Sequence, residues 1–315
     1  MEELTGALAE RLVEAGLFRN LSIETVTLYV MMGSLLIVSF LIGVVAVLGG
    51  VGGGVLFVPL VSALFAIHVD FVRGAGLMVA LVGSVAAAPR LMRRRFSRLR
   101  ISIPLALCGS AGSIVGARLG LLIPEQIIIG ALGAFMILVA IQTVVQAYRA
   151  RTPDTRVPVR AERSRGSGLS ERIVEVWELF GSYHDPARGE KAAWRARRIV
   201  PAMVLFLGIG VLGGLLGVGA GWANVPVLTG FMGLPVKLAA ATSGLIIVAN
   251  SSAAVWVYLA EGAIRPLIVA PALLGMIAGT RLGARMLGAA RPQVVRITVV
   301  AILLLAGVRT IVGTL

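Results

Sequence analysis

Two glycine-rich stretches, each ending in Val-Pro, are the parts of this sequence whose residue types and spacing suggest chemistry. They read Gly50-x-Gly52-x-Gly54-x3-Val58-Pro59 and Gly217-x-Gly219-x-Gly221-x3-Val225-Pro226. Glycine costs about 1 kcal/mol and proline about 3 kcal/mol in a helix interior, so a regular helix is not expected at either place. A helix that begins after such a break points free N–H groups and its positive dipole end at the gap, which favours an anion. The alternative is that the glycines only let helices pack closely.

Polar side chains within the apolar sequence are concentrated in the second stretch and after it. Asn224 stands where the first stretch has Phe57, and a further set of hydroxyl and amide residues follows it. No Asp or Glu lies deep within an apolar run, so a buried proton relay or a carboxylate cation site is not supported. Neutral donors, helix dipole ends and flanking arginines suit an anion.

The predicted site therefore combines both breaks with these polar residues. The predicted substrate-binding residues are Gly50, Gly52, Gly53, Gly54, Pro59, Gly217, Gly219, Gly221, Trp222, Asn224, Pro226, Thr242, Ser243, Asn250 and Ser251, with Arg118 and Arg281 as candidates for charge attraction. Each hydroxyl has the alternative of bonding back to its own helix. The two arginines have the alternative of a topological role at helix ends, and Trp222 that of an interfacial anchor.

Catalysis is not predicted from these residues. His68 and His184 are the only histidines, and their spacing to serines supports no reactive pair. Cys108 is the single cysteine, so neither a disulfide framework nor a thiolate metal site is expected. We expect no enzyme activity, no cofactor and no metal.

Composition shows which elements must position the site. The chain has 315 residues, of which 58% are hydrophobic and 14% charged, whereas soluble domains carry about 25% charged residues. Apolar stretches near the roughly 20 residues of a bilayer-spanning helix recur along the chain, which predicts an all-α, polytopic integral membrane protein. The stretch Thr27 to Ala66 would be about 60 Å long as one helix, so it must break, and the glycines are where.

A second pair of motifs indicates that the chain is duplicated. Gly112-x3-Gly116-x-Arg118-Leu119-Gly120 matches Gly275-x3-Gly279-x-Arg281-Leu282-Gly283 in the same order as the first pair. The segments between successive apolar runs are here called gaps. In the first half the basic residues are concentrated in the second gap, whereas in the second half they are concentrated in the third gap. If basic gaps face the cytoplasm, the two four-element repeats are inverted, each opening with a broken or re-entrant glycine-rich helix. If the two parts of each broken helix cross the membrane separately, the halves are parallel.

These features divide the chain into four parts. Residues 1–25 form an acidic amphipathic segment, and residues 26–148 and 199–315 form the two transmembrane repeats. Residues 149–198, here called the linker, are basic and expected in the cytoplasm, with a short amphipathic helix capped by Ser170 and carrying Ile173, Val176, Trp177 and Phe180. The net charge of +14 lies in the gaps between apolar runs, so it predicts orientation in a cell inner (plasma) membrane rather than nucleic-acid binding. The sequence indicates no oligomeric state.

In these paired motifs the sequence resembles the TauE/SafE family of membrane transporters, also described as the sulfite exporter family. The resemblance covers nearly all of the chain except the N-terminal segment and the linker, which looks longer than the family's usual central loop. It implies export of a small sulfur-containing anion such as sulfite, sulfoacetate or a related organosulfonate. Alternating access between the two breaks is the mechanism we expect. An anion channel, or a structural membrane subunit without transport, is the alternative.

Overall fold

The computed structural model describes residues 23–49, 53–65, 67–93, 99–151, 180–185, 190–286, 300–301, 303–307 and 310. Apart from one two-stranded hairpin, the regular structure in these ranges is helical. Seven of the described helices are long and apolar enough to cross a membrane, which confirms the predicted all-α, multi-pass fold. The predicted N-terminal segment lies outside the described residues, except that 23–25 already belong to the first helix.

Each half of the chain opens with a long helix followed by a short one. The first half consists of α1 (Ile23–Gly49), α2 (Gly53–Leu64), α3 (Val69–Arg93), α4 (Leu99–Leu122) and α5 (Glu125–Arg151). The second half consists of α6 (Ile199–Leu216), α7 (Gly221–Pro226) with a π-helical turn over Val227–Phe231, α8 (Val236–Ala260) and α9 (Pro266–Met286). Residues 300–301, 303–307 and 310 are helical as well.

The breaks fall at the glycines, as expected, although the pieces on either side are unequal. α1 ends at Gly49 and α2 begins at Gly53. With 27 residues, α1 is about 40 Å long and spans the hydrocarbon core alone, whereas α2 has only 12 residues. The second half repeats this with the 18 residues of α6 and the 6 of α7. The two glycine-rich units, α1–α2 and α6–α7, thus each consist of a full-length helix followed by a short one.

Contacts between helix ends define one end of the bundle, here called the Arg73 end. The backbone N–H of Val69, which starts α3, donates to Glu125 Oε1, which starts α5, at 3.0 Å. Arg73 Nη1 donates to the carbonyl of Gly120, near the end of α4, at 3.3 Å. α8 ends here too, because Tyr258 contacts Arg73.

The opposite end, here called the linker end, holds the start of α6. The Arg197 N–H donates to the Met232 carbonyl at 3.1 Å, so the π-helical turn also finishes there. α6 therefore runs towards the Arg73 end, and α7 with its π-helical turn returns to the linker end. The α6–α7 unit starts and finishes at the same end of the bundle.

The α1–α2 unit makes the corresponding excursion from the Arg73 end. Gly275 and Gly279 of α9 lie against the carbonyls of Leu36 and Phe40 in α1, so α1 and α9 run in the same direction, away from the Arg73 end. α2 then ends at Leu64, just before α3 begins. The same close packing joins α4 to α6, where Gly112 and Gly116 lie against the carbonyls of Leu207 and Val211. Glycines thus let α1 pack closely on α9 and α4 pack closely on α6.

The linker contributes an element that was not predicted. Strands β1 (Phe180–Asp185) and β2 (Glu190–Arg195) pair antiparallel, with Phe180 opposite Arg195. Phe180 thus begins a strand, and the rest of the predicted amphipathic helix lies outside the described residues. Residues 149–151, assigned to the linker from the sequence, belong to α5.

Candidate functional site

The second break is a tight connection that only small residues fit. Gly217 ends α6 with φ 71°, and a Cβ there would lie 2.5 Å from the Cα of Arg73. Gly219 has φ 70°, and a Cβ there would lie 3.0 Å from the Cβ of Ala80 and 3.6 Å from Ser251 Oγ. Positive φ favours glycine because it lacks a Cβ. The break therefore runs along α3 from Arg73 to Ala80 and comes close to the middle of α8.

The start of α2 lies against this second break. A Cβ at Gly54 would lie 2.8 Å from the carbonyl oxygen of Val218 and 3.1 Å from that of Gly76. Gly53 faces the side chain of Met276. Gly50 and Gly52 lie outside the described residues. The structure thus brings the two glycine-rich motifs together in the interior of the bundle.

The polar residues predicted in the second half are buried. Their exposed fractions are 0% for Asn224 and Thr242, 3% for Ser243, and 1% for Asn250 and Ser251. Several of their polar atoms have no hydrogen-bond partner: Asn224 Oδ1 and Nδ2, Thr242 Oγ1, Asn250 Nδ2, Ser251 Oγ and, with them, Trp222 Nε1. A buried unpaired group costs about 1–3 kcal/mol, so each of these atoms indicates a position that a ligand or water can satisfy.

These side chains spread over half the circumference of α8. Ser251 faces the break at Gly219, whereas Asn250 lies against Gly109 of α4 and accepts a hydrogen bond from Ser110 Oγ at 3.4 Å. Ser243 precedes Asn250 by seven residues and shares its face. Thr242 and Ser251 are nine residues apart, which places them on opposite sides at about 100° per residue. The structure brings Ser251 to the break and does not gather the whole predicted set at one point.

Trp222 and Asn224 leave α7 in different directions. They are two positions apart, which is about 200° around a helix. The Trp222 ring stands edge-on to the ring of Phe135 in α5, with 5.1 Å between centroids. The backbone carbonyl of Trp222 accepts a hydrogen bond from Gln142 Nε2 at 3.2 Å. Trp222 is therefore packed inside the bundle against α5. Gly221 and Pro226 are the first and last residues of α7.

The equivalent part of the first half is apolar. Val55, Leu56, Phe57 and Val58 are all at most 2% exposed and belong to the largest apolar cluster. Pro59 is buried within α2. The only unpartnered buried polar atom of α2 among the described residues is Ser62 Oγ. Hydrogen-bonding capacity therefore lies mainly on the second-half side of the paired motifs.

Own-helix hydrogen bonding accounts for other polar residues nearby. Ser252 Oγ donates to the carbonyl of Ala249 at 2.9 Å, and Thr229 Oγ1 donates to that of Val225 at 2.8 Å. Arg118 and Arg281 are exposed on α4 and α9, as residues at the ends of spans often are. Their attraction of substrate charge stays a prediction.

Sequence reasoning missed the most deeply buried charge. Arg73 is 0% exposed, and its guanidinium contacts Tyr258 and Asp70 beside the second break. Arg73 was not among the candidate residues predicted from the sequence. The available signal was an arginine inside an apolar stretch, three residues after an aspartate, because an ionisable residue within a span is expensive unless it is paired or functional.

Comparison with known protein families gives a match that covers most of the chain. The family model described as "Sulfite exporter TauE/SafE" matches residues 35–310. The chain belongs to this family. The match includes both breaks and every polar residue named above, so the protein is a multi-pass membrane protein of a transporter family. No curated protein and no solved structure matches the chain.

Proposed function

We propose that this TauE/SafE protein exports a small sulfur-containing anion, such as sulfite, sulfoacetate or a related organosulfonate, by alternating access. The anion binds between the second break, α7 and the middle of α8. One observation carries the proposal: five buried side-chain groups able to donate hydrogen bonds have no partner on α7 and around α8, and one of them, the Ser251 hydroxyl, lies at the break; they belong to Trp222, Asn224, Thr242, Asn250 and Ser251.

The chemistry of these groups suits an oxyanion. Indole and amide N–H groups donate only, and hydroxyls can donate, whereas the oxygens of sulfite or a sulfonate accept. No Asp or Glu is among the buried polar residues that the structure describes. A neutral, donor-rich site without carboxylates binds an anion without charge repulsion. The sulfur-containing class of substrate is inferred from the family.

The burial of these groups supports a carrier over an open pore. Asn224 and Thr242 are 0% exposed and Asn250 and Ser251 1% exposed, so these four side chains are shielded from solvent. A ligand can enter only after helices move, which is what alternating access requires.

The directions of the helices support two inverted halves. The α1–α2 unit starts and finishes at the Arg73 end, and the α6–α7 unit starts and finishes at the linker end. Three long helices follow the first unit, so the second half begins at the opposite end from the first. We infer that the repeats are inverted and rock against one another around the paired breaks.

The charges set the orientation of the proposed exporter. The linker end carries Arg90, Arg93, Arg281 and Arg285, together with the basic linker itself. Under the positive-inside rule this end faces the cytoplasm. The anion therefore enters from the linker end and leaves at the Arg73 end.

Counterflow of labelled sulfite in proteoliposomes tests this function. Vesicles loaded with unlabelled sulfite should accumulate external label transiently above equilibrium, because a carrier exchanges one bound anion for another. Uptake should also saturate with sulfite concentration. Equilibration without an overshoot, at a rate linear in concentration, would favour a channel.

A further inference from the structure

Arg73 is a buried cation with only partial charge compensation. It is the only charged residue in the buried set of the described part of the chain. Its Nη1 lies 2.9 Å from Asp70 Oδ1, and the side chain of Asp70 is 24% exposed. A buried charge is retained in a membrane protein where it is paired or where it lies on a substrate path. The ion pair with Asp70 uses only the Nη1 side of the Arg73 guanidinium.

The other edge of the guanidinium is filled by a single neutral oxygen. Arg73 Nε and Nη2 both donate to the hydroxyl of Tyr258, at 2.9 and 2.6 Å. That hydroxyl in turn donates to the carbonyl of Gly214, at 3.2 Å, near the end of α6. This Nε/Nη2 fork has the geometry that binds two oxygens of one carboxylate, sulfite or sulfonate group. Tyr258 therefore occupies a place that suits an oxyanion.

Arg73 lies next to the candidate site, on the side facing away from the linker. Gly217 packs against the Cα and Cβ of Arg73, and two residues later Gly219 packs near Ser251. On α8, Ser251 precedes Tyr258 by seven residues, which is about 10 Å along one face. An anion that moves from Ser251 towards the Arg73 end meets the Arg73–Tyr258 pair.

Beyond Arg73 the charge changes sign. Asp70 lies between Arg73 and His68, whose Nδ1 is 3.5 Å from Asp70 Oδ2, and Glu125 Oε2 lies 3.3 Å from His68 Nε2. These carboxylates are 24% and 39% exposed. A buried cation followed by partly exposed carboxylates first attracts an anion and then favours its departure.

We propose that Arg73 is a second anion-binding station on the exit side of the transporter. The oxyanion displaces the Tyr258 hydroxyl and accepts hydrogen bonds from Arg73 Nε and Nη2, while Asp70 keeps Nη1. The ligand class is any small anion with two oxygens on one atom. This inference rests on the proposed export function and adds a station to the path described there.

The competing explanation is an ion pair that only ties α3 to α8. The double variant Arg73→Met/Asp70→Asn separates the two, because it removes both charges and leaves no buried ion unpaired. We expect a protein that elutes as a monodisperse peak and melts as the wild type does, with kcat/KM for sulfite counterflow reduced about tenfold or more. A smaller reduction in the folded double variant overturns the proposal. Arg265→Gln, an exposed arginine at the same end, is the matched control.

Two single variants keep the test decisive if the double variant does not fold. Arg73→Lys keeps the charge and loses the fork, so the KM for sulfite should rise about tenfold. Tyr258→Phe removes the hydroxyl that competes for the fork, so KM should fall and, because release slows, kcat should fall with it. Opposite changes of KM in the two variants support the station. Changes of KM in the same direction, or unchanged KM, overturn it.

These results also separate the two proposals. If wild-type vesicles show no counterflow overshoot, the export function itself fails. If they show an overshoot and the folded double variant retains it, export stands and the second station fails.

Discussion

At the scale of single residues, Gly217 links the break to the buried arginine. Its φ is 71°, and a Cβ at this position would lie 2.5 Å from the Cα of Arg73, so no side chain fits without movement. Gly233 has nearly the same backbone angle, φ 73°, but nothing lies within 4 Å of its Cβ position. A substitution at Gly233 therefore tests backbone strain alone, whereas one at Gly217 tests backbone strain and steric conflict together.

Gly217→Ala should destabilise the protein more than Gly233→Ala. Both variants incur the cost of a left-handed residue, about 1–2 kcal/mol, and Gly217→Ala adds an overpacking cost of about 1–3 kcal/mol against Arg73. The measurement is the apparent melting temperature of each purified variant. Equal melting temperatures would contradict the close approach of Arg73 to the break.

The polar residues of the site were predictable because an amide or hydroxyl stands out in an apolar sequence. Asn224, Thr242 and Asn250 were each identified in this way, and each is buried with an unpartnered atom. Arg73 stood out locally only as an arginine inside an apolar stretch, and that pattern does not say what the side chain contacts. Its burial is decided by Gly120 and Tyr258, which approach from α4 and α8, and no local pattern contains that information.

At the scale of elements, glycines determine how closely the helices pack. Gly210 and Gly214 of α6 lie against the carbonyls of Gly109 and Ser113 in α4. Small residues let transmembrane helices approach until their backbones touch. Gly208 is on the same helix but exposed, with nothing within 4 Å of its Cβ position.

Gly210→Ala should lower the melting temperature, and Gly208→Ala should leave it unchanged or raise it. A methyl group at position 210 meets the carbonyl of Gly109, at an overpacking cost of about 1–3 kcal/mol. At position 208 alanine gains up to about 1 kcal/mol of helix propensity and meets nothing. Thermal unfolding of the two variants in the same detergent provides the comparison. A destabilised Gly208→Ala together with a tolerated Gly210→Ala would contradict the α4–α6 packing.

The existence of the breaks was predictable, whereas the difference between them was not. Glycine spacing and length predicted that the stretch before Ala66 breaks. α2 nevertheless passes through Pro59 as one helix, while the second copy ends α7 at Pro226 and continues as a π-helical turn. The apolar residues of α2 fill the largest apolar cluster, whereas α7 carries Asn224. The two copies of the motif pack against different residues, and the motif itself contains no information about those neighbours. The β1–β2 hairpin likewise had no signal in the linker composition.

At the scale of the whole molecule, the proposed inversion of the two halves can be tested by labelling. In a Cys108→Ser background, Ser97→Cys lies in the connection between α3 and α4, and Glu261→Cys lies in the equivalent connection between α8 and α9. A membrane-impermeant thiol reagent applied to intact cells should label position 261 and should label position 97 only after permeabilisation. Labelling of both positions from one side would show that the repeats are parallel.

In the proposed mechanism, the paired breaks are the pivot between two inverted halves. Gly54 lies against Val218 where the two units meet, and the unpartnered hydroxyl of Ser251 lies near the same break. We propose that rocking of one half against the other opens this point to one end at a time. A bound anion would then satisfy unpartnered donors and offset the cost of burying them.

The most direct test of the account is sulfite counterflow with Asn224→Ala beside Thr229→Val. Both residues follow the second break, but Asn224 has two unpartnered polar atoms, whereas the hydroxyl of Thr229 is bonded to its own helix. We predict a transient overshoot of label in wild-type and Thr229→Val vesicles, and a loss of about tenfold or more in kcat/KM for Asn224→Ala. An undiminished overshoot in folded Asn224→Ala would contradict the proposed binding site.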